Sequence, residues 1–266
     1  EIRTLKVRLE DLRYLVFMPP DDMRKEINNQ GGSASVWNYV RNRYPLAAEY
    51  IRWGEGQGYQ NRRTCASRTW WWDLGAQDLP PIVLNKGVND RHFVTVNSQA
   101  FCDQQIYEVG VDPHIAQPLT GFLNWTGTAM FWEQYGRRNF GEGVLWIAVY
   151  EANNIFVPKP VVLTNQGRKR LLSAFERLAQ RPLRSIFEEL GFELCHKRRC
   201  NHPEHPYEYV KPEELTLEQV KQASPDRFEL DSVVFDVLGL TDEERLEVYR
   251  AVAQLVKDRL VKARSV

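Results

Sequence analysis

The sequence predicts an α+β fold, and three observations carry that prediction. Apolar residues recur at helical spacing at both ends of the chain, as in Leu246, Tyr249, Val252, Ala253, Val256 and Leu260. The middle instead holds short β-prone runs, residues 81–86 and 91–96, on either side of the turn-forming Gly87-Val88-Asn89-Asp90. Strand and helix patterns do not alternate regularly, which argues against a parallel βαβ sheet.

Residues 2–18 mix apolar and charged positions, and Pro19-Pro20 stop whatever they form. Asp21-Asp22 open a short charged helix that Gly31-Gly32 break. Ser33 or Ser35 caps a second helix carrying Val36, Trp37, Tyr39 and Val40. Pro45 starts a third, with Leu46, Tyr50 and Trp53 on one face, and Gly54, Gly56 and Gly58 end it. From Arg62 the pattern changes. Residues 68–74, with Trp70-Trp71-Trp72, read as an aromatic strand whose alternation leaves at least one indole near the surface. Residues 106–111 suggest another strand. Helical spacing returns over 119–135 and stops at Gly136, followed by strand-like 144–150 and 155–158. Residues 165–190 read as a long basic helix interrupted near Pro182, and 191–225 as a loop-rich stretch. Helices over 230–238 and 242–264 finish the chain, the last opened by a capping box of Thr241 and Glu244. The implied organisation is a helical arm (1–60), an α+β recognition domain (61–164), and a basic helix, loop insertion and C-terminal helices (165–266).

No apolar run approaches the roughly 18 residues a membrane helix requires, and no secretory signal is present. Four cysteines without such a signal point to reduced thiols and a cytoplasmic location. The chain begins with Glu1, and its patterned first residues suggest a piece of a longer protein. The net charge of zero is unevenly spread: residues 137–200 carry twelve basic against six acidic side chains, and 201–266 nine against fourteen. Such asymmetry suits a polyanionic partner.

Arginine forks onto guanine or phosphate, lysine acts as a point charge, and asparagine pairs with base edges. On these grounds Arg62, Arg63, Arg68, Lys86, Asn89, Arg91, Arg137, Arg138 and Asn139 are the candidate contacts to double-stranded DNA. The competing expectation for each cation is a plain surface ion pair. Residues 136–143 follow a helix C-terminus, where cations are favoured locally, and lack the spacing of a nucleotide loop. Cys195, Cys200, His202 and His205 form a C-x4-C-x-H-x2-H set that could complete a zinc site, but four ligands within eleven residues are tightly spaced, so a basic loop is the default expectation. His92 and His114 have no nucleophile motif nearby, and no catalytic signature is recognisable.

Residues 62–74, Leu123-Asn124, 136–143, 184–191 and Asp226-Arg227 followed by 230–266 together resemble the C-terminal region of large bacterial or archaeal N6-adenine DNA methyltransferases, a target-recognition region similar to the TaqI-type specificity domain. The resemblance is strongest at 136–143 and 235–266. It implies a restriction-modification or phage-defence parent whose separate catalytic domain holds S-adenosylmethionine and methylates a flipped adenine. That domain's Asn/Asp-Pro-Pro-Tyr/Phe motif is missing: Met18-Pro19-Pro20-Asp21 has the proline pair without its flanking residues. The chain is therefore expected to read DNA and to need no cofactor of its own, and residues 195–205 look like an insertion. The alternative class is a protein-interaction module of a defence complex, with core aromatics and no direct DNA contact.

Overall fold

Met23 and Ile27 lie one helical turn apart behind two aspartates, and α1 (Asp21–Asn29) buries both. The computed structural model describes residues 4–29, 32–138, 141–194 and 206–264. Asp21 and Asp22 occupy the first turn of α1, where the helix dipole favours negative charge. In α2 (Ser33–Arg43) Val36 and Val40 are buried. Pro45 takes the first position of α3 (Pro45–Gly56), where its missing N–H costs nothing. The buried stripe of α3 is Ala48, Ile51 and Gly54, so the Leu46, Tyr50 and Trp53 face is the solvent-exposed one.

The expected strand over residues 68–74 does not form. A short helix, α4 (Arg63–Ala66), is followed by turns. Packing overrides aromatic β-propensity here. Trp72 enters the core of Met23, Ile27, Val36, Val40, Ala48 and Ile51, and Arg24 Nε donates to Asp73 Oδ1 at 2.9 Å. Residues 62–74 thus fold within a compact unit, Leu12–Asp78, together with α1–α3.

The second unit comprises Glu1–Asp11 and Leu79–Val266. Its three-stranded antiparallel sheet has the order β3-β1-β4, with β1 (Ile82–Asn85) central. A separate pair forms from β2 (Gly87–Val88) and β5 (Leu145–Trp146). Ile82 faces Val96 of β3 (Val94–Val96) and Val109 of β4 (Ile106–Val109), so the expected strands pair, but Gly87 and Val88 of the expected turn form β2 instead, drawn into pairing with β5. Lys6 extends the β3 edge through a parallel bridge to Val96.

The helix expected over 119–135 is two helices, α5 (Pro113–Leu123) and α6 (Thr128–Tyr135). Asn124 breaks it: its side-chain oxygen accepts from Val94 N at 3.0 Å and its nitrogen donates to Val94 O at 2.8 Å, so the amide pairs with β3. The strand over 144–150 shortens to β5 and gives way to α7 (Val149–Ala152), while 155–158 are irregular.

The larger core lies among α8 (Asn165–Ala179), α9 (Ile186–Glu189), α10 (Leu217–Ala223), α11 (Pro225–Leu238) and α12 (Asp242–Arg264). The basic helix is interrupted around Pro182, as its sequence suggests, and α11 begins earlier than expected, at Pro225. Thr241 and Glu244 close the capping box of α12, with Thr241 N donating to Glu244 Oε2 at 2.8 Å and Glu244 N to Thr241 Oγ1 at 3.3 Å. The fold is mixed α+β, dominated by helices and carrying small antiparallel sheets.

Candidate nucleic-acid interface

Two segments far apart in sequence meet at the β2–β5 pair. Gly87 faces Trp146 on one side, and Arg137 bridges Trp146 on the other, with Arg137 N donating to Trp146 O at 2.7 Å and Trp146 N to Arg137 O at 3.0 Å. Ile147 N also donates to Lys86 O at 2.8 Å. The backbone thereby joins residues 86–91 to the start of the 136–143 loop.

Beneath this surface lies a buried charge network. Arg259 on α12 donates to both carboxylate oxygens of Glu133 on α6, to Asn89 O at 2.7 Å, and to Gly143 O. His92 Nε2 lies 3.1 Å from Glu133 Oε1. Burial pushes the Glu133 carboxyl up, but His92 and Arg259 outweigh it and hold it below its ordinary value. A buried charge survives only when paired in this way. The loop adopts left-handed backbone at Glu142 (φ 58°) and Gly143 (φ 71°). Glu142 O accepts from Asn89 Nδ2 at 3.1 Å, and a Cβ on Gly143 would lie 2.8 Å from Leu260 Cδ2. The loop is thus pinned to both the 86–91 segment and α12.

Above the network the guanidinium groups reach solvent. The Arg137 side chain is 45% exposed, with Nε 2.9 Å from Glu151 Oε1 and the group 5.4 Å from the Tyr150 ring centre. Arg138 is 48% exposed and donates to Glu133 O at 2.7 Å. Tyr150 and Phe156 are both exposed, and Phe156 packs on Phe131, which stacks on Tyr135. Arginines beside exposed aromatic rings can hold phosphates and stack on bases.

The other expected contacts differ in setting. Lys86 Nζ bonds Gln104 O and lies 4.7 Å from the Tyr107 ring centre, so part of its donor capacity is used. Asn89 has its amide nitrogen engaged by Glu142, which makes it a loop anchor first. Arg91 is half-buried, with Nε shielded and unpartnered. In the Leu12–Asp78 unit, Arg62, Arg63 and Arg68 are exposed, and none pairs with a carboxylate among the described residues. The plain ion-pair expectation therefore holds for Arg137, paired with Glu151, and for Arg138, whose Nη2 lies 3.9 Å from Glu133 Oε2. Arg62 lies 4.2 Å from the Tyr59 ring centre, and Tyr59, Trp53 and Tyr50 form a chain of ring contacts beside it. Asn139 and the zinc candidates Cys195, Cys200, His202 and His205 lie outside the described residues. Among the described residues, no group of three or more His, Cys, Asp or Glu side chains is placed to hold a metal ion.

Sequence reasoning did not single out Glu133 or Arg259, while His92, read as a structural histidine, is one: it pairs with buried Glu133. Arg259 carries no local signal, since its partners are 116 to 170 residues away. Asn124 and Asp226-Arg227, which contribute to the resemblance, prove structural. Arg227 Nη1 donates to Asn124 O at 3.2 Å, and Asp226 pairs with Arg181 at 2.7 Å.

A family model for the C-terminal domain of the type II methyltransferase M.Eco57I matches residues 21–188. The chain belongs to that family. The M.Eco57I-type match begins at α1 and runs into α9, so it contains every candidate DNA-contact position and stops before residues 195–205. Neither the curated proteins nor the solved structures provide a match. Among the described residues, no helix is long and apolar enough to cross a membrane.

Proposed function

We propose that this chain is the DNA target-recognition region of an adenine-N6 methyltransferase of restriction-modification or phage-defence type. Family membership supports a role within a type II methyltransferase. The observation that carries the DNA reading is the exposed pair Arg137 and Arg138, held over the buried Arg259–Glu133 pair, with the exposed Tyr150 ring beside Arg137. Arg62, Arg63 and Arg68 supply further unneutralised charge from the helical unit.

A base inside a duplex must be flipped out before its amino group can be methylated, at a cost of a few kcal/mol. Contacts made by this chain to backbone and base edges offset that cost and select the sequence, while the catalytic domain of the parent binds S-adenosylmethionine and transfers the methyl group. The test is selection from random duplexes by the 266-residue chain. Enrichment of one motif, reduced by Arg137→Ala and Arg62→Ala, supports the reading. Lack of duplex binding even at low salt favours the protein-interaction alternative. Cys195, Cys200, His202 and His205 are a candidate zinc set within the same reading, and the metal content of the purified chain decides it: one equivalent supports the set and none dismisses it.

A further inference from the structure

Both carboxylate oxygens of Glu151 are engaged. Oε2 accepts from Ala148 N, the backbone group at the start of α7, at 2.7 Å, and Oε1 accepts from Arg137 Nε at 2.9 Å. The Glu151 side chain is 13% exposed, against 45% for Arg137. Burial pushes the Glu151 carboxyl up, but the Ala148 N–H and Arg137 outweigh it and hold it below its ordinary value. Glu151 is therefore a fixed anion, tied to backbone on one side and to Arg137 on the other.

Arg137 is held at three points. Its backbone pairs with Trp146 in both directions, its Nε is tied to Glu151, and its guanidinium lies 5.4 Å from the Tyr150 ring centre. Among the described residues, no acceptor meets Nη1 or Nη2. Those two nitrogens form the edge of the guanidinium that matches a pair of oxygens. A long side chain loses rotamer freedom when it binds, and one already held in place has less to lose. The tether also shortens its reach. Base edges lie at the floor of a major groove about 8.5 Å deep, whereas phosphates line the rim. An arginine drawn back onto its own surface suits the phosphate.

We propose that Arg137 takes one DNA phosphodiester through its Nη1–Nη2 edge, and that Glu151 is the positioning residue that aims it. The inference rests on the DNA-recognition reading and deepens it, by naming the group that Arg137 meets and the acid that holds it ready. It carries a definite sign. By charge alone, removing an acid from a DNA-binding surface strengthens attraction to the polyanion. Removing a positioning acid weakens binding instead.

The test titrates four forms of the 266-residue chain with one duplex over a range of salt concentrations: unmodified, Glu151→Ala, Arg137→Ala, and both together. Arg137→Ala should shallow the log-log salt slope by about 0.9. Glu151→Ala should weaken binding about three- to tenfold, the order of one hydrogen bond, and shallow the slope in the same direction. In the Arg137→Ala background it should cost nothing further, because the two side chains act as a unit. Equal or tighter binding by Glu151→Ala overturns the proposal. So does the same loss in both backgrounds, which marks Glu151 as a merely structural part of α7. A slope unchanged by Arg137→Ala, with sequence preference lost instead, puts Arg137 on a base edge and overturns the phosphate assignment. With the unmodified chain bound to duplex, each of these failures falls on this proposal alone. Absence of duplex binding at low salt removes the DNA reading and the proposal together.

Discussion

Arg259 shows how one side chain far along the sequence holds the candidate surface. It satisfies a buried carboxylate and two loop carbonyls at once. Arg259→Met takes the two-pronged guanidinium from buried Glu133 and leaves it only His92 and the more distant Arg138, so unfolding at neutral pH should become easier by about 3 kcal/mol, measured by urea titration. Arg138→Ala, on an exposed side chain, should change stability by less than about 0.5 kcal/mol while weakening duplex binding. The buried carboxylates also set an acid limit. Burial pushes Glu189 up, but Arg181 and Arg227 prevail and hold it well below the carboxylate range; Asp226 is lowered too, its burial outweighed by Arg181. Carboxyls depressed in the fold contribute stability that is fully present above their unfolded values, near about 4. That contribution is lost as pH falls through the folded values. Asp231 has the opposite sign: burial raises it despite Arg227 and the bonds from Thr126, so its contribution is present at low pH and lost as pH rises through its folded value. Glu133, Glu189 and Asp226 share the depressed sign, so Glu189→Gln should flatten the loss of stability as pH falls below about 4, measured by urea titration across that range.

The 136–143 loop depends on its last glycine. Gly143→Ala forces a left-handed backbone on a residue with a Cβ and drives that carbon toward Leu260, so stability should fall by at least about 1 kcal/mol, with duplex binding weakened alongside, read by thermal unfolding and titration. Elements governed by local chemistry were legible in the sequence. The last helix runs over Asp242–Arg264 as its spacing indicates, and its capping box closes as the Thr and Glu spacing demands. The β1–β3 pairing was legible as two β-prone runs, though Gly87-Val88 between them, read as a turn, is a strand because β5 pairs with it. Elements governed by distant packing were not legible. Residues 68–74 look like a strand until Trp72 is drawn into the helical core, and the helix over 119–135 looks continuous until Asn124 is claimed by Val94. The α3 pattern contained two stripes, and the bulkier one, Leu46, Tyr50 and Trp53, faces outward. For the candidate site, the arginines were visible as residues, but the meeting of 86–91 with 136–143 was not, because it needs a β2–β5 pairing across more than fifty positions.

Over the whole chain, positive charge concentrates in residues 137–200 and negative charge in 201–266, although the two cancel in total. Much of the basic excess is internal: Arg181 pairs with Glu189 and Asp226, and Arg170 with Glu229 and Asp236. Net charge therefore says less about DNA than do the exposed arginines at 62, 63, 68, 137 and 138. The most direct test of the central claim is a titration of the 266-residue chain with duplex DNA at two or more salt concentrations. Binding should weaken with salt on a log-log line, and Arg137→Ala should shallow its slope by about 0.9, the contribution of one released phosphate contact. Absence of binding at low salt, or binding indifferent to both salt and Arg137, would contradict a DNA-recognition role.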